Sequence, residues 1–385
     1  MTKRTKFITT IGLSMLLATV GGATADTIKI GINQPLTGPF AASGTYIVDG
    51  AKIAAEEINA NGGILGNQIE LVIEDNKSNP TEAAAVAEKL IQRDQVPVMM
   101  GAWGSSLTLA AMPKLMQYEV PMLVETSSSG KITTQGNPYI FRISPPSWVE
   151  AALFKDLLPS LDIKKVDFLA INNDWGLGTI KDFSAMFEEN GIEVGLAETM
   201  DQATQDMSAQ LSKIKASDAD TIIITAAVEQ LTLLLKQATA LGIDKQIVTT
   251  GGSQNPDQLI AQAGAAANDT KHMVFFAPWD LEKTPFPDKS KAFIDAWAEA
   301  GHDKAGITES YRGYDGIHVI KAAIEKAGVA EPKAIRDAFW QIEVPTLNGT
   351  VKFVKDGPEG QESGQYMAHG TLITITDGKI VLPGS

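Results

Sequence analysis

The stretch TIKIGINQPLTGPFAASGTYIVDGAKIAAEEINANGGILGNQIELVIE, residues 27–74, decides the fold class of this 385-residue chain. Polar and apolar side chains alternate over 27–32, which predicts a β-strand. A loop rich in proline, glycine and small polar residues over 34–44 leads to a predicted helix over 46–59. Residues 68–74 alternate again as a second strand. This order and spacing predict parallel strands joined by a crossover helix.

Strand and helix patterns continue along the chain, break once and restart. The rigid segment Ser144-Pro145-Pro146 is the break, and a second series begins with a predicted strand over 165–171. The tail returns to strands around a hairpin signal at Asp377-Gly378. The sequence therefore predicts an α/β protein with two lobes, each a parallel sheet flanked by helices. Because such sheets bind ligands beyond the carboxyl ends of their strands, we expect a ligand cleft between the lobes.

The N-terminus has the three parts of a secretory signal peptide. Three of the first six residues are basic, residues 7–20 are mostly apolar, and Ala23-Thr24-Ala25 offers a cleavage site. We therefore predict a signal peptide over 1–25 that is cleaved after Ala25. An uncleaved anchor is the alternative, although the apolar core is short for a membrane span.

Composition excludes several classes of function. The chain has 32 Lys and Arg against 46 Asp and Glu, and its net charge of −14 becomes −17 without residues 1–25. We expect no binding of nucleic acid, since phosphate binding depends on basic side chains. The absence of cysteine excludes disulfides and thiol catalysis, and four scattered histidines predict no metal site.

Four loops that follow predicted strands are rich in small polar residues. Hydroxyl groups at the start of a helix near Ser105 and Ser106 suit a carboxylate, and Trp103 and Trp175 suit an apolar or planar ligand body. Simple N-capping is the alternative role of the serines. Convergence of four such loops on one cleft favours ligand binding. The loops span residues 101–106, 125–130, 172–176 and 251–255.

Catalysis has little support in the sequence. The motifs G-x-S-x-G, H-E-x-x-H, Walker A and a complete G-x-G-x-x-G are absent. We therefore expect a binding protein with no catalytic residue, no cofactor and no resident metal. An enzyme that uses the same cleft is the alternative from another functional class.

Seven stretches, each weak alone, are specific when taken together. They are Ile30 to Gly44 (IGINQPLTGPFAASG), Gly50 to Gly66 (GAKIAAEEINANGGILG), Glu74 to Ala84 (EDNKSNPTEAA), Gly101 to Ser106, Pro121 to Ser128, Asn173 to Gly178 (NDWGLG) and Gly251-Gly252. In these seven stretches the mature chain resembles the Leu/Ile/Val-binding type of periplasmic substrate-binding proteins of ABC importers. The resemblance implies two Rossmann-like lobes, joined by three hinge crossovers, that close on a small ligand.

The resemblance also implies how the chain divides between the lobes. We assign residues 26–144 and 278–347 to the N-terminal lobe, and residues 145–277 and 348–385 to the C-terminal lobe. The implied location is the periplasm, and the implied partners are a small-molecule ligand and ABC permease membrane subunits. We expect a monomer. A ligand-sensing module for a membrane receptor is a further alternative.

Several ligand-binding positions of the family carry over onto this sequence. The carboxylate-binding serine corresponds to Ser105, with Ser106 beside it. A pair that binds through backbone and hydroxyl groups corresponds to Thr126 and Ser128, and an aromatic residue of the second lobe corresponds to Trp175. These matches imply an intact site for a carboxylate.

Other positions depart from the family's pattern. An aromatic wall of the first loop falls on Ser43, and a tyrosine of the second lobe falls near Ala226 or Ala227, which leaves more room. The acid that binds the ligand's ammonium falls near Ser253, where no acid replaces it, and a first-lobe apolar contact falls near Glu309. An ammonium buried without a partner costs several kcal/mol.

Two interpretations of the ligand remain open. One is a branched-chain or other neutral amino acid whose ammonium is bound by another acid, with Glu125, Glu229 and Glu309 as candidates. The other is an aromatic or aliphatic carboxylic acid without an ammonium group, which suits the extra room beside Trp103 and Trp175.

Overall fold

The predicted first strand is confirmed as Ile28–Gln34, but its burial does not alternate, because every residue in it except Lys29 is buried. The computed structural model describes residues 1–2 and 27–383. The predicted signal peptide, apart from its first two residues, therefore lies outside the described residues.

Strands and helices alternate through residues 27–383. The strands are β1 (Ile28–Gln34), β2 (Ile69–Asp75), β3 (Met99–Gly101), β4 (Met122–Val124), β5 (Ile140–Arg142), β6 (Lys165–Ile171), β7 (Glu193–Met200), β8 (Thr221–Thr225), β9 (Gln246–Thr249), β10 (Lys271–Val274), β11 (Val344–Thr346), β12 (Gly349–Val351), β13 (Val354–Asp356), β14 (Ser363–Gln365), β15 (Thr371–Thr376) and β16 (Lys379–Val381). The α-helices are α1 (Ala41–Ala60), α2 (Pro80–Gln92), α3 (Ser105–Tyr118), α4 (Lys131–Thr134), α5 (Ser147–Lys155), α6 (Asp174–Glu189), α7 (Ser208–Ala216), α8 (Val228–Ala240), α9 (Pro256–Ala263), α10 (Pro287–Glu299), α11 (Ile307–Ala327) and α12 (Pro332–Phe339).

The two large sheets share one strand order. The first runs β13-β14-β5-β4-β3-β1-β2 and the second runs β16-β15-β10-β9-β8-β6-β7. Strands β1 to β5 pair in parallel, and so do β6 to β10. Helices pack on the strands in both sheets. Each lobe is thus a doubly wound sheet, with its switch point beside β1 or β6. The predicted fold class is confirmed.

The chain passes between the two sheets three times. It leaves the first sheet after β5, returns to the first lobe after β10, and crosses again between β14 and β15. The last crossing differs from our lobe assignment, because β13 and β14 belong to the first sheet although we placed 348–385 in the C-terminal lobe. The physical reason is that β14 pairs in parallel with β5, and Arg142 Nε donates a 2.7 Å hydrogen bond to Gln365 Oε1.

Helix α11 belongs to the first lobe because it packs closely on α1. Gly50 faces the backbone of Ser310, and Gly313 faces the backbone of Ile47; a Cβ at either glycine would collide with the facing carbonyl oxygen. Only glycine permits so close an approach of two helices. The contact fixes the first turns of α11, where Glu309 lies.

Some elements differ from the sequence prediction. Helix α1 begins at Ala41 instead of residue 46, and β7 and α7 were not predicted. Strand β7 lies at the edge of its sheet, and its exposed positions carry polar or small residues that weaken the strand pattern. The predicted hairpin is confirmed, since Asp377 (φ 50°) and Gly378 (φ 67°) join β15 to β16. Within the described ranges, no helix has the length and apolar character needed to cross a membrane.

Candidate ligand-binding site

A small cavity lies between the lobes, where loops from both sheets meet. Its volume is about 10 Å³, which is room for about one water molecule. The first lobe contributes Trp103, Gly104, Ser105, Thr126, Ser127 and Ser128, and the second lobe contributes Trp175, Gly251 and Ser253. The structure thus brings together six residues that the sequence analysis selected: Trp103, Ser105, Thr126, Ser128, Trp175 and Ser253.

The start of α3 forms one wall of the cavity. Gly104 precedes the helix with φ 103°, and Ser105 is the first helical residue. The first-turn N–H groups of a helix lack intrahelical partners and carry the positive end of its dipole, so they attract an anion. The Ser105 hydroxyl accepts a 3.0 Å hydrogen bond from the Ser129 N–H and keeps its own proton available to a ligand.

A buried arginine holds the neighbouring loop in place. Arg142 Nη1 donates to the carbonyl oxygens of Ser127 (3.1 Å) and Ser129 (2.7 Å), and the Ser127 hydroxyl donates to the Ala102 carbonyl (2.7 Å). Burial lowers the pKa of Arg142 to about 9, which still leaves it positively charged at neutral pH. This end of the cavity is therefore rigid, rich in donors and supported by a cation.

The second-lobe wall is built around Trp175. Asn173 caps helix α6, and its Oδ1 accepts from the N–H groups of Trp175 (3.0 Å) and Gly176 (3.1 Å). Gly251 packs against the indole with φ 88°, and a Cβ at that position would collide with the ring. A glycine is required there for both reasons.

Two indole rings meet between the lobes, and a third aromatic ring packs on one of them. The ring centroids of Phe40 and Trp103 are 4.6 Å apart, and those of Trp103 and Trp175 are 5.6 Å apart in an edge-on arrangement. The two tryptophans, expected to contact the ligand body, contact each other across the cleft. Their contact explains why the cavity is so small.

Glu309 lies directly behind the cavity lining. Its Oε1 accepts hydrogen bonds from Trp103 Nε1 (2.6 Å) and from the Ser253 hydroxyl (3.3 Å), and it lies 3.9 Å from Arg312 Nε. Its Oε2 is buried and has no hydrogen-bond partner among the described residues. Burial raises the pKa of Glu309. We call Trp103, Ser253, Glu309 and Arg312 the inner contact, because they join the lobes behind the cavity.

Arg312 links α11 of the first lobe to the glycine loop of the second. Its Nη2 donates to the carbonyl oxygens of Gly252 (3.1 Å) and Gly251 (3.4 Å). Two further buried acids interact with this guanidinium, Glu125 and Glu150, and burial raises the pKa of each to about 7.

Ser106 lies outside the cavity lining, at the outer edge of the cleft. Its hydroxyl donates a 2.8 Å hydrogen bond to Asp174 Oδ2 in the second lobe, and Lys131 Nζ lies 2.8 Å from Asp174 Oδ1. Ser106 was selected as a neighbour of the carboxylate-binding serine, and the structure instead gives it a contact between the lobes. The reason is that successive residues on a helix point in directions about 100° apart. We call Ser106, Lys131 and Asp174 the rim contact.

Ser43 and Ala227 also lie outside the cavity lining. Both are buried, Ser43 within α1 and Ala227 immediately before α8. Glu309 does not line the cavity either, but it is hydrogen-bonded to the lining residues Trp103 and Ser253.

Sequence reasoning did not select Gly104, Ser127 or Gly251 as individual site residues, although each is a neighbour of a selected residue. In the part of the chain that the structure describes, no cluster of His, Cys, Asp and Glu could hold a metal ion.

Comparison with known proteins agrees with this architecture. Residues 27–370 match the family described as periplasmic binding protein. A leucine-, isoleucine-, valine-, threonine- and alanine-binding protein of Pseudomonas aeruginosa is 31% identical over 334 residues, which cover 86% of this chain and 87% of that protein.

Solved structures show the same fold. The branched-chain amino acid transporter substrate binding protein of Streptococcus pneumoniae, in complex with isoleucine, has a TM-score of 0.80 at 28% identity, covering 93% of this chain and 100% of that one. A solute binding protein of Rhodopseudomonas palustris, in complex with 4-hydroxybenzoate, has a TM-score of 0.80 at 24% identity, covering 93% of this chain and 95% of that one. This second likeness concerns the fold alone. From its first strand to residue 370, the chain belongs to the periplasmic binding protein family.

Proposed function

We propose that the chain is the solute-binding component of an ABC importer, which captures a small carboxylate-bearing ligand in the periplasm and delivers it to the permease. The observation that carries the proposal is the cavity between the lobes, with the start of α3 and the hydroxyls of Ser105, Thr126 and Ser128 on one side. These groups supply donors to an anion. A branched-chain or related amino acid is the first candidate, in keeping with the ligands named for the two relatives at 28% and 31% identity.

Ligand binding requires the lobes to move. A cavity of about 10 Å³ cannot hold an amino acid or an aromatic acid, so the lobes must separate or the two indoles must turn aside. Hinged closure would then bury the ligand and remove it from water. The three crossovers between the sheets are the segments where such a hinge operates.

The remaining features of the proposal follow from the sequence. The signal peptide would be cleaved after Ala25, and the mature protein would act as a monomer without a cofactor. The ligand would be released unchanged, because the described residues that line the cavity present hydroxyls, backbone groups and indoles and include no nucleophile paired with a base.

One observation favours a second candidate ligand, an aromatic or aliphatic carboxylic acid without an ammonium group. Trp103 and Trp175 bring two indoles to the cleft in an edge-on arrangement, and separation of the rings would leave a space between them suited to a planar body. The importer role would be the same in this case.

A thermal-unfolding screen tests the proposal. The purified mature chain is heated with single neutral amino acids and, separately, with aromatic and aliphatic carboxylic acids. A ligand at about 100 times its Kd adds about 2.7 kcal/mol to the free energy of unfolding, which gives a clear rise in Tm. Each stabilising compound is then recovered and identified by mass spectrometry. Absence of any stabilising carboxylate, or recovery of a chemically changed compound, would contradict the proposed function.

A further inference from the structure

One buried acid, Glu309, contacts the cavity lining from behind. Glu309 contacts two residues of the lining, Trp103 and Ser253, through one carboxylate oxygen. Its other oxygen, Oε2, is fully buried and has no hydrogen-bond partner within residues 27–383. A buried carboxylate oxygen without a partner is costly, so this position favours a donor supplied from outside the chain.

The electrostatics around Glu309 favour a positive donor. Three buried carboxyls, those of Glu125, Glu150 and Glu309, interact with the guanidinium of Arg312. The cluster therefore has more acidic groups than Arg312 can neutralise. A ligand that brings an ammonium group would reduce this imbalance, whereas a ligand with only a carboxylate would increase it.

The other two candidate acids are placed less favourably. Glu125 accepts a 2.6 Å hydrogen bond from Gln34 and borders a separate internal cavity of about 10 Å³ that it shares with Arg312. Glu229 contacts the backbone of Ala42, in α1, and has no hydrogen bond to the residues that line the ligand cavity, as far as the described residues show. Glu309 is bonded directly to two lining residues.

We propose that Glu309 Oε2 binds the ammonium of a zwitterionic α-amino acid whose carboxylate lies at the start of α3. The inference rests on the proposed function and selects among its ligands: amino acids over acids that lack an ammonium. An α-amino acid carries both charged groups on one carbon, so the two ends of its site must be close together. Ser105 and Ser253 line the same small cavity, so the carboxylate side and the ammonium side of the proposed site are close together. The acid thus comes from α11 of the first lobe, and Ser253 remains a hydroxyl neighbour.

Matched ligand pairs test this assignment. Calorimetry compares leucine with 4-methylpentanoate, isoleucine with 3-methylpentanoate, and phenylalanine with 3-phenylpropanoate; each pair differs only by the ammonium group. We expect the wild-type chain to bind at least one amino acid 100-fold or more tightly than its partner. In Glu309→Gln we expect this ratio to fall at least 30-fold, because amino-acid binding weakens while binding of the partner acid changes less than threefold.

Glu229→Gln is the matched control, since it replaces a partly buried acid whose Oε2 is itself buried and has no hydrogen-bond partner among the described residues. Its ratio should stay within threefold of wild type, and thermal unfolding shows that both variants are folded. If acids without ammonium bind as well as the amino acids, or if Glu309→Gln leaves the ratio unchanged, Glu309 is not the ammonium site although carboxylate capture stands. If no member of any pair binds the wild-type chain, carboxylate capture itself is contradicted, and the assignment of Glu309 is overturned with it.

Discussion

Two of the contacts between the lobes, the inner contact and the rim contact, differ in their access to water. At the inner contact, the side chains of Glu309 and Arg312 are 0% and 2% exposed. At the rim contact, Asp174 and Lys131 are 30% and 62% exposed. Charges that are removed from water interact strongly and are costly when unpaired, whereas exposed pairs are screened by water and salt. The inner contact should therefore govern stability and ligand choice, and the rim contact should adjust closure only slightly.

The largest effect is expected from removal of the buried cation. Arg312→Met leaves the carboxyls of Glu125, Glu150 and Glu309 without their guanidinium and removes the donor to Gly251 and Gly252. The free energy of unfolding should fall by about 3–5 kcal/mol, measured by urea denaturation. Lys213→Met, at an exposed ion pair within the second lobe, is the control and should cost less than about 1 kcal/mol. Similar losses in both variants would remove the distinction between buried and exposed contacts.

A pH effect of comparable size is expected from Glu150. Burial raises its pKa from 4.5 to about 7 in the folded protein. Its neutral form is therefore favoured by folding, and this contribution is complete below pH 4.5 and is lost as the pH rises through about 7. A shift of this size corresponds to roughly 3 kcal/mol.

The measurement compares wild type with Glu150→Gln, whose amide oxygen can still accept from the Gly251 N–H. Between pH 5 and pH 8, the unfolding free energy of the wild-type chain should decrease relative to that of the variant. A difference that stays constant with pH would show that Glu150 titrates alike in the folded and unfolded states.

A smaller effect is expected on the carboxylate side of the cavity. Ser105→Ala removes a hydroxyl from the cavity and leaves the Ser129 N–H without its acceptor. Affinity for a carboxylate ligand should weaken by about 1–3 kcal/mol, measured by calorimetry. Ser106→Ala is the adjacent control, and its loss should be smaller because that hydroxyl faces Asp174. Unchanged affinity in Ser105→Ala would remove Ser105 from the proposed carboxylate site.

The smallest effect is expected at the rim contact. Lys131→Met removes the exposed ion pair with Asp174 and should lower the unfolding free energy by about 0.2–1 kcal/mol in dilute buffer. In 1 M salt the difference should nearly disappear, since the screening length falls to about 3 Å. A loss that persists in 1 M salt would mean that the rim contact behaves like a buried one.

The inner and rim contacts also show how far the sequence could predict the site. The carboxylate side depends on local features, namely a strand end, a glycine and a helix start. Ser105 could therefore be selected from these features, and Thr126 and Ser128 from their polar loop together with the family resemblance. The structure brings all three together. The fold class and the family could be predicted for the same reason, since strand and helix patterns are local features of the sequence, and both predictions are confirmed.

The remaining features depend on contacts between distant parts of the chain. Trp103 and Glu309 are 206 residues apart in the sequence, and only the packing of α11 on α1 brings them together. The resemblance placed Glu309 at an apolar position, so its hydrogen bond to an indole was not foreseen. Ser106 could not be distinguished from Ser105, because helix geometry and the facing lobe decide which hydroxyl points into the cavity.

The threading of β14 beside β5 has a consequence for how the protein is made. Arg142 and Gln365, which are joined by a hydrogen bond, are 223 residues apart in the sequence. The second sheet likewise needs a late segment of the chain, because β10 pairs with β15. Neither half of the molecule corresponds to a continuous piece of polypeptide. A ribosome must therefore release nearly the whole chain before either half is complete, and a fragment cut near the middle would expose bare sheet edges that invite aggregation.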